Sequence, residues 1–141
     1  LILNNFPYFK MIAFLKKFMG NIYMPIVWSI VIGILLTLPG SVLPNEDSFK
    51  IPQFDKIVHM GMFGGFVFLW NLYLSVRPIA PKRLLRLFFI VFLTGIAYGI
   101  GSEYVQKYFI PLRDFDEGDI IADMLGASLA YGLSNISLLK N

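Results

Sequence analysis

The chain has no cysteine and a single histidine among its 141 residues. Without thiols it forms no disulfide, carries no cysteine nucleophile and builds no thiolate metal site, and cysteine usage leaves its redox compartment open. A lone imidazole, His59, excludes any site that needs two from one chain. Charge is scarce as well. Asp, Glu, Lys and Arg make up 15% of the residues, where a soluble domain carries about a quarter. The scarcity is patterned, because none of these residues, and no His, falls in 18–45, 60–76, 87–102 or 124–139.

What fills those stretches is apolar, and 57% of the chain is hydrophobic. A bilayer core of ~30 Å needs ~20 mostly apolar residues per helix, and each run reaches or approaches that length with its flanks. The fold class expected is all-α: a polytopic membrane protein, a four-helix transmembrane bundle with a short N-terminal interfacial helix. Prolines set the boundaries, since proline lacks a backbone donor and clashes with the preceding turn. Pro7, Pro39, Pro44, Pro52, Pro78, Pro81 and Pro111 fall between the runs, and Pro25 lies in the first turn of one. The predicted helices are 21–38, 54–76, 83–109 and 118–139. They form one domain, 21–141, behind an interfacial segment, 1–20, whose residues 6–19 mix aromatics with Lys10, Lys16 and Lys17. These lysines ahead of 22–38 resemble a signal-peptide layout. The run is longer than a usual signal core, however, and Leu38-Pro39-Gly40-Ser41 is a poor cleavage site, so a retained helix is expected.

Helices in lipid associate through close contact at small residues. Ser29 with Gly33, Gly61 with Gly65, Gly95 with Gly99 and Gly126 with Ala130 offer that spacing on all four helices. The net charge of +3 reads as orientation rather than nucleic-acid binding, because Lys and Arg collect on cytoplasmic loops. Eight of the twelve lie on the side of the N-terminal segment, the second loop and the tail (Lys140), and four (Lys50, Lys56, Lys107, Arg113) on the other. The expected location is the inner, cytoplasmic membrane of the cell, multi-pass, with both termini cytoplasmic.

The polar residues then gather. Asp55 and His59 share a face at the outer start of the second helix, Glu103 and Gln106 lie near the outer end of the third, and Asp119 and Asp123 open the fourth, with Arg113 in the loop between. An acid at the centre of a membrane helix costs ~2.5–3.5 kcal/mol, less near an interface. Asp123 is therefore expected to face the bundle, with His59 and Arg113 as candidate partners. The carboxylates outnumber the cations Lys56, Arg113 and Lys107, which leaves room for a protonated His59, a shared proton, a bound cation or a cationic ligand. Plainer roles compete: Asp55 and Asp119 as helix caps, Glu103 with Lys107 as a surface pair, and Arg113 within the acidic loop of Asp114, Asp116 and Glu117.

Two segments carry a family resemblance. Asp55-Lys56-Ile57-Val58-His59 followed by Phe63 is close to D-K-x-x-H-x-x-x-F. Glu103 and Gln106, then Arg113, then Asp119 to Gly126 resemble E-x-x-Q, R and D-x-x-x-N-x-x-G. Together these resemble the VanZ-like family of small membrane proteins, named for a teicoplanin resistance protein. Leu38-Pro39-Gly40-Ser41 with Pro44 also resembles the end of the first helix in such proteins, and the likeness runs from about residue 22 to 133. Two positions depart from it: Asp123 stands where the family has Asn, and Ala130 where Gly is common.

The resemblance implies an envelope protein that in some members lowers sensitivity to glycopeptide antibiotics. The leading expectation is a non-enzymatic factor whose outward polar pocket binds a drug, peptide or lipid-linked envelope precursor. His59, Glu103, Arg113 and Asp123 would be the contacts, with Asp55, Gln106 and Asp119 orienting them, and no cofactor or metal is assigned. Two alternatives stand beside it. One is a membrane enzyme using His59 with Glu103 or Asp123 as acid and base, although no nucleophile motif, phosphate loop or HExxH supports it. The other is a structural subunit of a larger membrane complex.

Overall fold

The computed structural model describes residues 7–42 and 53–139. They form five helices: α1 (Pro7–Met19), α2 (Tyr23–Thr37), α3 (Phe54–Ser75), α4 (Pro81–Phe109) and α5 (Glu117–Ser137), with a 3₁₀ turn at Gly40–Val42 after α2. No strand occurs among the described residues. The boundaries fall within two residues of those the prolines mark. Pro81 opens α4 at its first position, where the missing N–H costs nothing. Pro44, Lys50, Pro52 and Lys140 lie outside the described residues.

α3 and α4 are each long and apolar enough to cross a membrane. α2 has 15 residues, about 22 Å of helix, and passes the same test only together with α1, from which it is bent by 76°. α5 has the length, at 21 residues, but carries Asp119, Asp123 and a series of Gly, Ala and Ser residues. Its outer and inner faces explain this. Ala122, Asp123, Gly126, Ala127, Ala130 and Ser134 are buried, while Ile121, Leu125, Leu129, Leu133 and Ile136 are exposed. Small and polar groups thus point inward and large apolar ones outward, the reverse of a water-soluble helix. Ile26, Ile30 and Ile34 of α2 and Phe89, Ile90 and Leu93 of α4 are exposed in the same way.

The inward small residues allow close crossings. α3 and α5 form the most extensive pairing, and a side chain at Gly126 would overlap the Met60 carbonyl. A Cβ on Gly99 of α4 would stand 2.7 Å from Asp123 Oδ2. Of the small-residue pairs expected at interfaces, Ser29, Gly33, Gly65, Gly95, Gly99, Gly126 and Ala130 lie at contacts. Gly61 instead faces open space, and Gly64, one turn-fraction on, meets Gly126. α2 is fastened to α3 by both tryptophans of the chain: Trp28 Nε1 donates to the Met62 carbonyl at 2.9 Å, and Trp70 Nε1 donates to Ser29 Oγ at 3.3 Å.

The helices run alternately up and down. At one end, Ile12 of α1 packs with Leu72 near the close of α3, Leu84 and Phe88 at the start of α4, and Leu138 after α5. At the other end, the Gly40 amide donates to the Pro111 carbonyl at 3.1 Å, joining the turn after α2 to the loop before α5. α3 begins and α4 ends at this second end, which holds the polar residues.

Candidate polar binding site

The first two turns of α3 supply Asp55, Lys56 and His59. The helix starts from Gln53, in the left-handed region at φ 55°, and no side chain caps it. Lys56 is the hub of the outer layer. Its ammonium lies 2.7 Å from Asp116 Oδ2, 3.2 Å from Asp119 Oδ1 and 3.2 Å from Asp55 Oδ2.

Asp116 is the residue whose role the sequence conceals. Its neighbours Asp114 and Glu117 suggest a plain acidic loop, but it is the N-cap of α5: its Oδ1 accepts from the Gly118 amide at 2.6 Å. Its Oδ2 takes Lys56 of α3, and its own backbone N–H donates to Glu103 Oε2 of α4 at 3.1 Å. One residue therefore ties the start of α5 to both neighbouring helices. The Lys56 ammonium, aided by the Gly118 amide, holds its carboxyl below the ordinary aspartate value. The signal for it was the cap position three residues ahead of Asp119, with glycine two residues on. Asp119 is consequently not the cap and is free to turn inward.

Beneath this layer lies a closed inner cluster. His59, Glu103, Asp119 and Asp123 are 4%, 0%, 7% and 1% exposed, so the groups meet as a sealed knot and not as the walls of an open basin. His59 Nδ1 lies 3.0 Å from Asp123 Oδ1. An ionised carboxylate only accepts, so Nδ1 carries a proton toward Asp123, and Nε2 faces Asp119 Oδ2 at 3.8 Å. Glu103 is anchored through Oε2, and its Oε1 is buried without a hydrogen bond, as is Asp123 Oδ2. Buried charge is stabilised only when it is paired. Here three buried carboxylates share one imidazole and the ammonium of Lys56.

Three of the seven predicted residues lie outside this inner cluster. Asp55 joins only through Lys56. Gln106 is buried, but its amide donates to the Leu36 carbonyl of α2 at 3.0 Å, so it fastens α2 to α4. Arg113 makes no ion pair among the described residues and does not reach Asp123, whose partner is His59. Lys107 turns from Glu103 to the rings of Tyr108 and Phe115, which removes the surface-pair reading. Asn71, fully buried farther along α3 with both side-chain polar atoms unpaired, is uncharged and escapes a search built on ionisable groups.

Shallow grooves flank the cluster. One, lined by Gln53, Lys56, Ile57, Gly118, Ile121 and Ala122, runs between the starts of α3 and α5 and reaches the Lys56 hub. A neighbouring groove along Gly61, Gly64, Gly65, Leu129 and Leu133 is almost wholly apolar.

No protein-family model matches the chain, and no solved structure matches it. An uncharacterized protein of Schizosaccharomyces pombe is 34% identical over 105 residues, which is 73% of this chain. The chain spans about 60% of the length of that curated relative, and the similarity is to a fungal protein.

Proposed function

We propose that this chain is a VanZ-like membrane protein that crosses the bilayer four times with both ends on the cytoplasmic side. Its buried His–carboxylate cluster, near the extracytoplasmic face, is a binding site for a positively charged group of a membrane or envelope ligand. The observation that carries this reading is the convergence of His59, Glu103, Asp119 and Asp123 from three helices into one buried knot with unpaired oxygens, beneath the more exposed Lys56–Asp116 pair. Burying such groups is costly, and intramembrane ionisable residues are retained for function more readily than for stability. The apolar outer faces of α2 and α5 support four crossings. The bent junction of α1 with α2, and the packing of Ile12 at the far end of the bundle, support an α1 that lies along the opposite interface.

The groove that opens on Lys56 supplies an approach from the ends of α3 and α5, and its apolar continuation suits an acyl chain. A lipid or lipid-linked ligand follows from that pairing of polar hub and greasy channel. Protection against glycopeptides such as teicoplanin is the narrower, bacterial form of this reading, and the fungal relative lends it no support. The test compares lipids that co-purify with wild type and with His59→Ala and Glu103→Gln at equal membrane abundance. A species lost from both variants is expected, and an unchanged lipid profile would remove the reading. In a bacterial host, the same variants should also lose any teicoplanin protection that wild type confers.

One observation favours a second reading, catalysis. His59 oriented by Asp123 at 3.0 Å is the base-and-orienter arrangement of general acid–base enzymes, with Glu103 beside it. Turnover of a labelled envelope lipid by purified protein, lost in His59→Ala, would establish it.

A further inference from the structure

His59, Glu103 and Asp119 share a pattern that a salt-bridge network does not need. Each is anchored through one polar atom: His59 Nδ1 on Asp123, Glu103 Oε2 on the Asp116 amide, Asp119 Oδ1 on Lys56. Each keeps a second polar atom. Nε2 of the imidazole faces Asp119 Oδ2 at 3.8 Å, too far for a hydrogen bond. One ligand atom from each of the three lies within 4.8 Å of the others. Glu103, wholly buried, has Oε1 without a partner.

The geometry points to a divalent-metal site formed by His59 Nε2, Glu103 and Asp119, with Asp123 as the group that orients the imidazole. Zinc or manganese fits the donors, one nitrogen and carboxylate oxygens. Atoms about 2.0–2.2 Å from such an ion stand roughly 3–4 Å apart, so a contraction of up to about 1–2 Å in the widest pair closes the set. The bond from Nδ1–H to Asp123 is the one that metal-bound histidines make to fix the ring and its tautomer. Lys56 and Asp116 then hold the ligands from behind. A second acidic set, Asp55, Asp116 and Asp119, surrounds the Lys56 ammonium and already has its cation. The inference rests on the reading that the cluster is a binding site, and it identifies the positive group as a metal ion, which can in turn hold an anionic headgroup.

The test uses full-length protein in detergent, stripped with chelator and titrated with Zn²⁺ and, separately, Mn²⁺. One ion per chain is expected, with affinity reduced at least tenfold in Asp123→Leu and lost in His59→Ala and Glu103→Gln. X-ray absorption on zinc-loaded wild type, which needs no variant to fold, should show one imidazole and otherwise oxygen donors. No stoichiometric binding, two or more imidazoles per zinc, or unchanged affinity in folded variants would overturn the site. Failure here is separable from failure of the function. Lipid binding that depends on His59 without any metal leaves the ligand reading standing and removes the ion. Zinc binding with an unchanged lipid profile does the reverse.

Discussion

His59 Nδ1 and Asp123 Oδ1 lie 3.0 Å apart across the α3–α5 crossing, and this contact decides which ring nitrogen the cluster can use. The family that the motif resembles has Asn where this chain has Asp123. An amide oxygen accepts the same N–H, so the orienting role survives that difference while the charge does not. Asp123→Asn should therefore keep the fold near wild-type stability. Asp123→Leu leaves a buried N–H unpaired and should cost about 1–3 kcal/mol, read as a lower unfolding midpoint in detergent. Equal loss in both variants would mean that charge, not the accepting oxygen, holds the ring.

Gly126 and Gly61 test the packing. A methyl at Gly126 would overlap the Met60 carbonyl, whereas one at Gly61 would meet nothing within 4 Å. Gly126→Ala should destabilise by about 1–3 kcal/mol through forced separation of α3 and α5. Gly61→Ala should be neutral or slightly stabilising, since alanine is the better helix former. Thermal unfolding of the two single variants measures both.

Gln106 predicts a local effect. Its amide is the contact between α4 and the Leu36 carbonyl near the end of α2, so Gln106→Met should cost about 0.5–1.5 kcal/mol. Faster hydrogen exchange should appear at the last turn of α2 while metal or lipid binding persists. Loss of binding without loosening of α2 would assign Gln106 to the site instead.

How far the sequence discloses this arrangement depends on what each residue type announces. Proline announces helix ends, so Pro39, Pro78, Pro81 and Pro111 place the boundaries of the described helices. Spacing by four announces that Asp119 and Asp123 share a face, and both point inward. Rotation about the helix axis is harder to read, because a helix apolar on all sides has no face that declares itself. The four-residue spacing accordingly predicts Gly61 at an interface where Gly64 and Gly65 do the packing. Asp116 and Arg113 stand in one charged loop, and composition alone does not distinguish the residue that caps α5 from the one that turns aside. Gln106 carries a motif position, but its partner is a backbone carbonyl, which no motif records.

Asp116 links acidity to the start of α5. Its carboxyl titrates below the ordinary value because Lys56 and the Gly118 amide favour the charged form. A depressed carboxyl contributes stability that is complete above the unfolded-state value of about 3.9 and is lost as pH falls through the lower folded value. Exchange of the Gly118 amide should therefore accelerate on acidification below about pH 4, after correction for intrinsic rates. Asp116→Asn should flatten that response.

The absence of cysteine makes topology directly testable. Single cysteines at Ser41 and Asp114 should react with a membrane-impermeant maleimide from one side of the bilayer, and those at Pro78 and Lys82 from the other. Labelling of all four from one side would contradict four crossings.

Both indoles of the chain sit on the seam between α2 and α3, each with its N–H engaged. Intrinsic fluorescence is therefore a built-in gauge of a single joint: if α2 swings away, both fluorophores change surroundings together. A ligand that only tightens the knot at His59 should leave the emission spectrum almost unmoved.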